Sequence, residues 1–390
     1  MARDRSLDLA PASIRDHRER ARRRIPRQLF DYIDGGAYEE STMRANEADL
    51  AAISLRQRVL RDVSSLSLRT TVLGQDLSMP VVLAPVGLAG MFAPRAEVLA
   101  ARAAESARVA FFESTVSIAG IEEVRAAVGN PFWFQLYVMR DRAYAEDLMA
   151  RATAAGCPVL VLTVDLAVVG ARYRDTRNAM VGEVSALAKA RRGLDLVSHP
   201  QWIRDVALGG KPHTFGNLEA AVPDARTPAD FRAWVDDGFD PSVTWDDLAW
   251  VREHWKGKLV LKGVLDPDDA RAAADAGVDG IVVSNHGGRQ LDDVPSTVRA
   301  LGPVADAVGD QLEVLVDGGI RSGLDVVKMV SLGAKACLIG RAWAWAVAGG
   351  GQAGVEHVLR TIREEMQVAM SLTGAPSIAD LGPEVLLSAP

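Results

Sequence analysis

A chain of 390 residues, 48% of them hydrophobic, can bury a large core as one big α/β domain or as two medium ones. Its formal net charge of -7 gives no global electrostatic reason to bind nucleic acid, and the local basic run Arg18 to Arg27 reads first as a solvated helix face. Only two cysteines occur, Cys157 and Cys337, each at an expected strand edge among apolar neighbours, so no disulfide framework or metal-ligand cluster is visible and both read as buried thiols in a reducing compartment. The charged stretch Met1 to Pro11 lacks an apolar signal core, and no stretch reaches the roughly 18 apolar residues of a membrane span. A secreted or integral membrane protein is therefore disfavoured.

Residues 12–60 read as a helical N-terminal cap. After it, short apolar runs recur at Pro80–Ala84, Val109–Phe112, Phe132–Val138, Pro158–Asp165, Lys258–Gly263, Gly280–Ser284, Leu312–Asp317 and Ala334–Gly340. Segments of helical period lie between most of them, among them Ala96–Arg108, Arg142–Ala155, Pro267–Ala276 and Gly323–Leu332. This is the βαβ rhythm of a parallel sheet, and eight such units fit a closed (β/α)₈ TIM barrel over residues 80–345 better than an open sheet. One single domain over 1–390 is expected.

The rhythm breaks once, where roughly ninety residues separate the run ending at Asp165 from the one starting at Lys258, far beyond a normal βα connection. Residues 176–257 are read as a long insertion after strand four, acting as a lid over the barrel mouth. Within it, Ala186–His213 mixes Lys189, Arg191, Arg192, Arg204 and Lys211 with Leu194, Leu196, Val197, Trp202 and Ile203, a pattern suited to an interface with an anionic membrane. Residues 352–390 read as a closing amphipathic helix and tail.

In such a barrel the working side chains stand at the C-terminal ends of strands. Ser114, Gln135, Tyr137, Thr163, Asp165 and Lys262 fall at strand ends, followed by Ser284-Asn285-His286-Gly287-Gly288-Arg289, Asp317-Gly318-Gly319-Ile320-Arg321 and Gly340-Arg341. Loops after strands seven and eight often build a phosphate site from glycine amides and a helix N-terminus, and Gly318, Gly319, Arg321, Gly340 and Arg341 supply those donors. His286 offers a base, Asp165 a carboxylate to orient it, and Arg289 a fork-shaped anchor for a carboxylate. Lys262 would be a costly buried cation unless an electron-rich ligand stands beside it.

Asp31-Tyr32-Ile33-Asp34-Gly35-Gly36, Ala84-Pro85-Val86-Gly87, Phe134-Gln135-Leu136-Tyr137, Leu162-Thr163-Val164-Asp165, Lys262-Gly263 and the nonapeptide Ser284 to Asp292 closely resemble the FMN-dependent 2-hydroxy acid dehydrogenases and oxidases. The resemblance runs from about residue 12 to 385, and Gly170 to Asp175 is most similar to the bacterial respiratory L-lactate dehydrogenase branch. It implies FMN as cofactor, with Gly318, Gly319, Arg321, Gly340 and Arg341 at its phosphate, Asp317 in the same loop, and Pro85, Val86 and Gly87 along its ring. Ser114, Gln135 and Thr163 would bond the ring or ribityl chain, and Lys262 would stand near N1 and O2, where charge grows on reduction.

For the substrate, the resemblance implies that Arg289 and Arg172 grip the carboxylate while Tyr32 and Tyr137 donate hydrogen bonds. His286 would act as base, steadied by Asp165, as hydride leaves the α-carbon of a small L-2-hydroxy acid, most simply L-lactate. No metal is implied. The implied partners are a quinone or other electron acceptor, a membrane surface at the cytoplasmic side of the inner membrane, and further copies in a homo-oligomer, a tetramer among them. An oxidase of glycolate or mandelate type using O₂ is the alternative, and a non-redox barrel acting on a phosphorylated substrate is the rival class, which leaves Lys262, Asp165 and the two arginines without a shared task. A flavin-binding scaffold without turnover would be expected to lack His286 or Arg289. Two departures stand out: Val116 where some members carry a bulky aromatic, and Gly87 where oxidases often carry alanine. Glu113 stands where an apolar residue is expected and reads, by strand alternation, as a paired structural charge facing away from the barrel centre.

Overall fold

Eight parallel strands close on themselves in the computed structural model, which describes residues 10–178, 180, 185–219 and 238–388. They are β1 (Val81–Leu83), β2 (Ala110–Ser114), β3 (Trp133–Leu136), β4 (Val159–Thr163), β5 (Lys258–Val264), β6 (Gly280–Val283), β7 (Glu313–Val316) and β8 (Ala336–Ile339). Closure is made by β8 against β1, with Cys337 opposite Val81 and Ile339 opposite Leu83. Helices Ala96–Ala107, Arg142–Ala154, Pro267–Asp275 and Gly323–Ser331 stand where the apolar period places them. The fold is a (β/α)₈ barrel. Residues 179, 181–184 and 220–237 of the expected insertion, and Met1–Leu9, lie outside the described residues.

Strand alternation explains how the barrel carries both a core and a site. Val82, Phe112, Trp133, Val161, Val260, Val282, Leu315 and Leu338 belong to one buried cluster, the filling of the barrel interior. Two residues further along the same strands come Ala84, Ser114, Gln135, Thr163, Lys262, Ser284, Asp317 and Gly340. A period of two keeps these on the same inward face one layer higher, at the C-terminal mouth. Glu113 points the other way, as expected, but its partner is the amide of Asn217, whose Nδ2 donates to its Oε1 at 3.2 Å, and not a cation.

The opposite end of the barrel is stoppered by a hairpin for which the sequence offered no expectation. Its strands Thr70–Val72 and Gln75–Leu77 send Val72, Leu73 and Leu77 into the interior cluster, and Trp133 Nε1 donates to Gln75 Oε1 at 3.1 Å.

The N-terminal segment forms α1 (Ile14–Arg24), α2 (Arg27–Asp34) and α3 (Ser41–Ala52), after which Ser54–Leu55 pairs antiparallel with Leu386–Ser388 near the other end of the chain. Most of the basic run is a solvated face, with Arg20, Arg22, Arg23 and Arg27 exposed, but Arg18 departs from it. Its guanidinium binds both carboxylate oxygens of buried Asp34, at 2.5 and 2.7 Å, and lies over the rings of Phe30 and Trp345. Arg341–Thr373 form two helices divided at Gly351, whose backbone is non-helical; the first follows β8 directly, and the second begins at residue 352.

Between β4 and β5 the insertion contributes helices Tyr173–Arg177, Ala186–Val197 and Asp247–His254. Leu187, Leu194, Val197 and Leu208 are exposed. Trp202, grouped with them from sequence, is instead buried and donates its Nε1 to the Met91 carbonyl at 2.9 Å, so it anchors the insertion to the barrel. Among the described residues no helix is long and apolar enough to cross a membrane.

Candidate active site

A cavity at the mouth of the barrel is walled by the loops after β1 to β4 and β6 to β8, by Lys262 of β5, by α2, and by the insertion. Every residue given a catalytic, substrate or cofactor role from sequence lines it except Asp165, which reaches it through His286, and Ser114 and Gln135, which are bonded to each other.

At its floor, Lys262 Nζ lies 3.0 Å from Asp317 Oδ2 and donates to Ser284 Oγ at 2.9 Å. Burial opposes the charge on Lys262, but Asp317 and Asp165 outweigh it and hold its pKa above the ordinary value, so the ammonium is kept. Beside it, Gln135 Oε1 accepts from Ser114 Oγ, while Gln135 Nε2 and Thr163 Oγ1 are buried without protein partners. Buried polar atoms are nearly always bonded, so these two orphans mark where a ligand's polar edge fits.

Above the floor, His286 Nδ1 stands 3.0 Å from Asp165 Oδ1. Burial lowers the His286 pKa most, Lys262 and Arg172 lower it further, and Asp165 opposes them, leaving it below the usual imidazole value. Burial works against ionisation of Asp165, yet His286 and Lys262 prevail and hold its carboxyl below the usual range. A neutral imidazole beside a carboxylate is the arrangement of an oriented general base. The close approach depends on Gly263, where φ is +114° and a Cβ would come within 2.5 Å of the Asp165 Cβ.

Arg289 and Arg172 flank the Tyr32 ring, their guanidinium carbons 5.1 and 5.8 Å from its centroid. Arg289 Nη1 donates to the carbonyls of Tyr32 and Gly35, both at 2.7 Å, which fixes the fork. Burial and the neighbouring Arg172 depress its pKa to about 10. Arg172 Nη1 lies 3.9 Å from Asp175 Oδ2, which offsets only part of the charge of two guanidinium groups on one ring, so this wall suits an anion. Tyr137 stands edge-on to Phe239 with its hydroxyl pKa pushed up by burial and by Asp165, so it is a donor there.

The loops after β7 and β8 bring Gly318, Gly319 and Gly340 to the cavity together with Arg321 and Arg341. Arg321 Nη2 is 3.0 Å from Glu47 Oε1 and its guanidinium stacks on Trp345 at 4.8 Å. Arg341 has turned onto the main chain, donating to the carbonyls of Ile33, Gly287 and Gly35. Burial, then Arg289 and Arg321, depress its pKa to about 9. This concentration of guanidinium charge suits a phosphate. Sequence reasoning missed Phe215 and Phe239 of the insertion, which complete an apolar wall with Leu166 and Val169. No local signal distinguishes them from other aromatic residues. Among the described residues no group of three His, Cys, Asp or Glu could hold a metal ion.

Residues 21–388 match the FMN-dependent dehydrogenase family. The chain belongs to that family. Its members bind FMN, and this dehydrogenase presents the donors such a cofactor requires: unpartnered Gln135 Nε2 and Thr163 Oγ1, the charged Lys262, and the guanidinium-rich glycine loops. It is 56% identical to an L-lactate dehydrogenase of Caulobacter vibrioides over 375 residues, covering 96% of this chain and 97% of that one. A solved monotopic membrane protein, (S)-mandelate dehydrogenase, superposes with a TM-score of 0.91 at 34% identity, covering 98% of this chain and 100% of the other. A mandelate oxidase superposes with a TM-score of 0.81 at 37% identity, covering 97% and 98%. The FMN-dependent oxidoreductase class is thereby established, and a non-redox barrel is set aside.

Proposed function

We propose that the enzyme oxidises a small L-2-hydroxy acid, L-lactate foremost, to the 2-oxo acid. The observation that carries this is the convergence of the His286–Asp165 pair with Arg289 and Arg172 on one cavity above Lys262. The high identity to an L-lactate dehydrogenase supports lactate as the substrate.

Gly318, Gly319, Arg321, Gly340 and Arg341 would hold the FMN phosphate, with Asp317 fixing Lys262, while Pro85, Val86, Gly87, Ser114, Gln135 and Thr163 would hold the ring and ribityl chain. When bound, FMN supplies the acceptor for the hydride that leaves the substrate α-carbon. Arg289 and Arg172 would grip the carboxylate, Tyr32 and Tyr137 would orient it and the hydroxyl, and His286 would take the hydroxyl proton on Nε2. Asp165 then stabilises the imidazolium, and Lys262 supplies positive charge where reduction adds negative charge.

Electrons pass on to a quinone or another carrier. Exposed Leu187, Leu194 and Val197 on a helix carrying Lys189, Arg191 and Arg192 support peripheral attachment to an anionic membrane, with the enzyme on its cytoplasmic side; each basic residue near the surface contributes roughly 1 kcal/mol. The monotopic (S)-mandelate dehydrogenase is a structural precedent for such attachment. Further copies of the chain would complete a homo-oligomer, with a tetramer among the arrangements.

Anaerobic titration with lactate, glycolate and mandelate tests the reaction. Lactate should bleach the flavin absorption fastest; bleaching by none of them would overturn the reading, and faster bleaching by mandelate would reassign the substrate. Co-sedimentation with anionic vesicles at low and high salt tests the attachment, with hydrogen peroxide release assayed alongside. Soluble protein that makes peroxide as fast as it consumes lactate would identify an oxidase.

A further inference from the structure

Helix α3 carries three separate attachments to the loops of the active site. At its start, the backbone N–H groups of Ser41 and Thr42 donate to the two carboxylate oxygens of Asp292, at 3.1 and 2.8 Å. One turn later, Asn46 and Asn285 face each other as paired amides. Asn46 Nδ2 donates to Asn285 Oδ1 and Asn285 Nδ2 donates to Asn46 Oδ1, both at 2.9 Å. The next residue, Glu47, receives Arg321.

Both amides are buried, Asn46 at 1% and Asn285 at 4% exposure, and their remaining bonds run into the loops. Asn46 Oδ1 also accepts from the Thr297 amide, and Asn285 Oδ1 accepts from the Gly288 amide, each at 3.1 Å. On its other side the Asn46 backbone lies so close to Gly319 that a side chain at 319 would overlap the Asn46 carbonyl, while a Cβ at Gly318 would approach Asn46 Nδ2 to 3.2 Å. One residue of α3 therefore touches the loop after β6 and the loop after β7.

The loop after β6 has particular need of such support. His286, Gly287 and Gly288 have φ of +55°, +65° and +71°, three consecutive left-handed residues, one of them not glycine. That run is unfavourable for an isolated chain and persists only where surrounding bonds over-determine it.

We propose that Asn46 is a positioning residue whose paired amides with Asn285 lock the loop bearing His286 and Arg289 to the loop bearing Gly318 and Gly319, so that the base and the phosphate seat keep one fixed separation. The inference rests on the function proposed above for those two loops. Displacing reacting groups by about 1 Å can cost roughly a hundredfold in rate. Asn46→Ala should therefore raise the FMN dissociation constant and lower kcat at saturating FMN and substrate, each by about tenfold or more.

The test measures FMN rebinding to apoprotein by flavin fluorescence, kcat and KM at saturating FMN, and Tm. A second variant, Asn46→Asp, keeps both acceptor bonds of Oδ1 but sets an oxygen against Asn285 Oδ1 when ionised. Lowering the pH from 8 to 6 should tighten its FMN binding relative to the parent, because a protonated carboxyl can again donate to Asn285. A lower Tm in Asn46→Ala with both constants within twofold of the parent would reduce Asn46 to a fold residue and overturn the proposal. So would a change in only one constant, or, should Asn46→Ala fail to fold, a flat pH response of Asn46→Asp relative to the parent. A parent enzyme that neither binds FMN nor is reduced by hydroxy acid would instead overturn the functional reading itself.

Discussion

His286 Nδ1 and Asp165 Oδ1 lie 3.0 Å apart, which leaves Nε2 as the imidazole atom that can take a substrate proton. Because burial, Lys262 and Arg172 hold the His286 pKa down against Asp165, the acid limb of kcat/KM should fall below the ordinary imidazole value of about 6.5. Asp165→Asn removes the group that raises that pKa, so the limb should move further toward acid while kcat drops. His286→Gln should retain FMN and slow flavin reduction by about 10²–10⁴-fold. Stopped-flow reduction across pH checks all three, and unchanged reduction in His286→Gln would place the base elsewhere.

Arg289 spends Nη1 on the carbonyls of Tyr32 and Gly35, which aims the rest of its planar fork at the cavity. A lysine cannot keep both anchors and also present two donors to a carboxylate. Arg289→Lys should raise KM and lower kcat together while FMN content stays at the parent level. Steady-state kinetics with flavin quantitation decides this, and a lysine enzyme with parent constants would remove Arg289 from the carboxylate site.

Gly87 and Val116, the two departures visible in the sequence, are coupled by packing. A Cβ on residue 87 would come within 2.5 Å of Val116 Cγ2, and the β-branched valine cannot turn away freely. Gly87→Ala should cost about 1–3 kcal/mol through overpacking, and Val116→Ala added to it should restore most of that loss. Chemical denaturation of the two single variants and the double variant gives the coupling energy; additive effects would show that the two sites do not sense each other.

Glu113 is fully buried and its carboxyl pKa is raised well above the ordinary value, chiefly by burial. Between the unfolded and folded pKa values the unfolded chain has released its proton while the folded chain keeps it, so this group lowers stability as pH rises through that window. Glu113→Gln keeps the shape and removes the proton. Its stability relative to the parent should therefore increase from pH 5 to pH 8, as read by Tm. A constant difference across that range would mean that Glu113 does not titrate on unfolding.

The barrel and most of its chemistry were legible because they depend on neighbours two to four residues away. The apolar runs and the helical period between them mark the strands and helices, and alternation carries the interior from Phe112 to Ser114, from Val260 to Lys262 and from Leu315 to Asp317. Polar residues at those positions must face the mouth, whatever the rest of the molecule does.

Closure of the barrel decided the remainder, because a buried polar group takes whichever partner the fold brings to it, often from far along the chain. Asn46 meets Asn285 across 239 residues, Arg18 reaches in from the surface to neutralise buried Asp34, and Glu113, read as a paired charge, finds the amide of Asn217 of the insertion. Trp202, read as a lipid-facing residue, is turned inward by the Met91 carbonyl, and Phe215 and Phe239 become cavity wall where the insertion meets the barrel mouth. Periodicity records which face of an element is apolar; it holds no record of which distant face will cover it, and that depends on the closed shape alone.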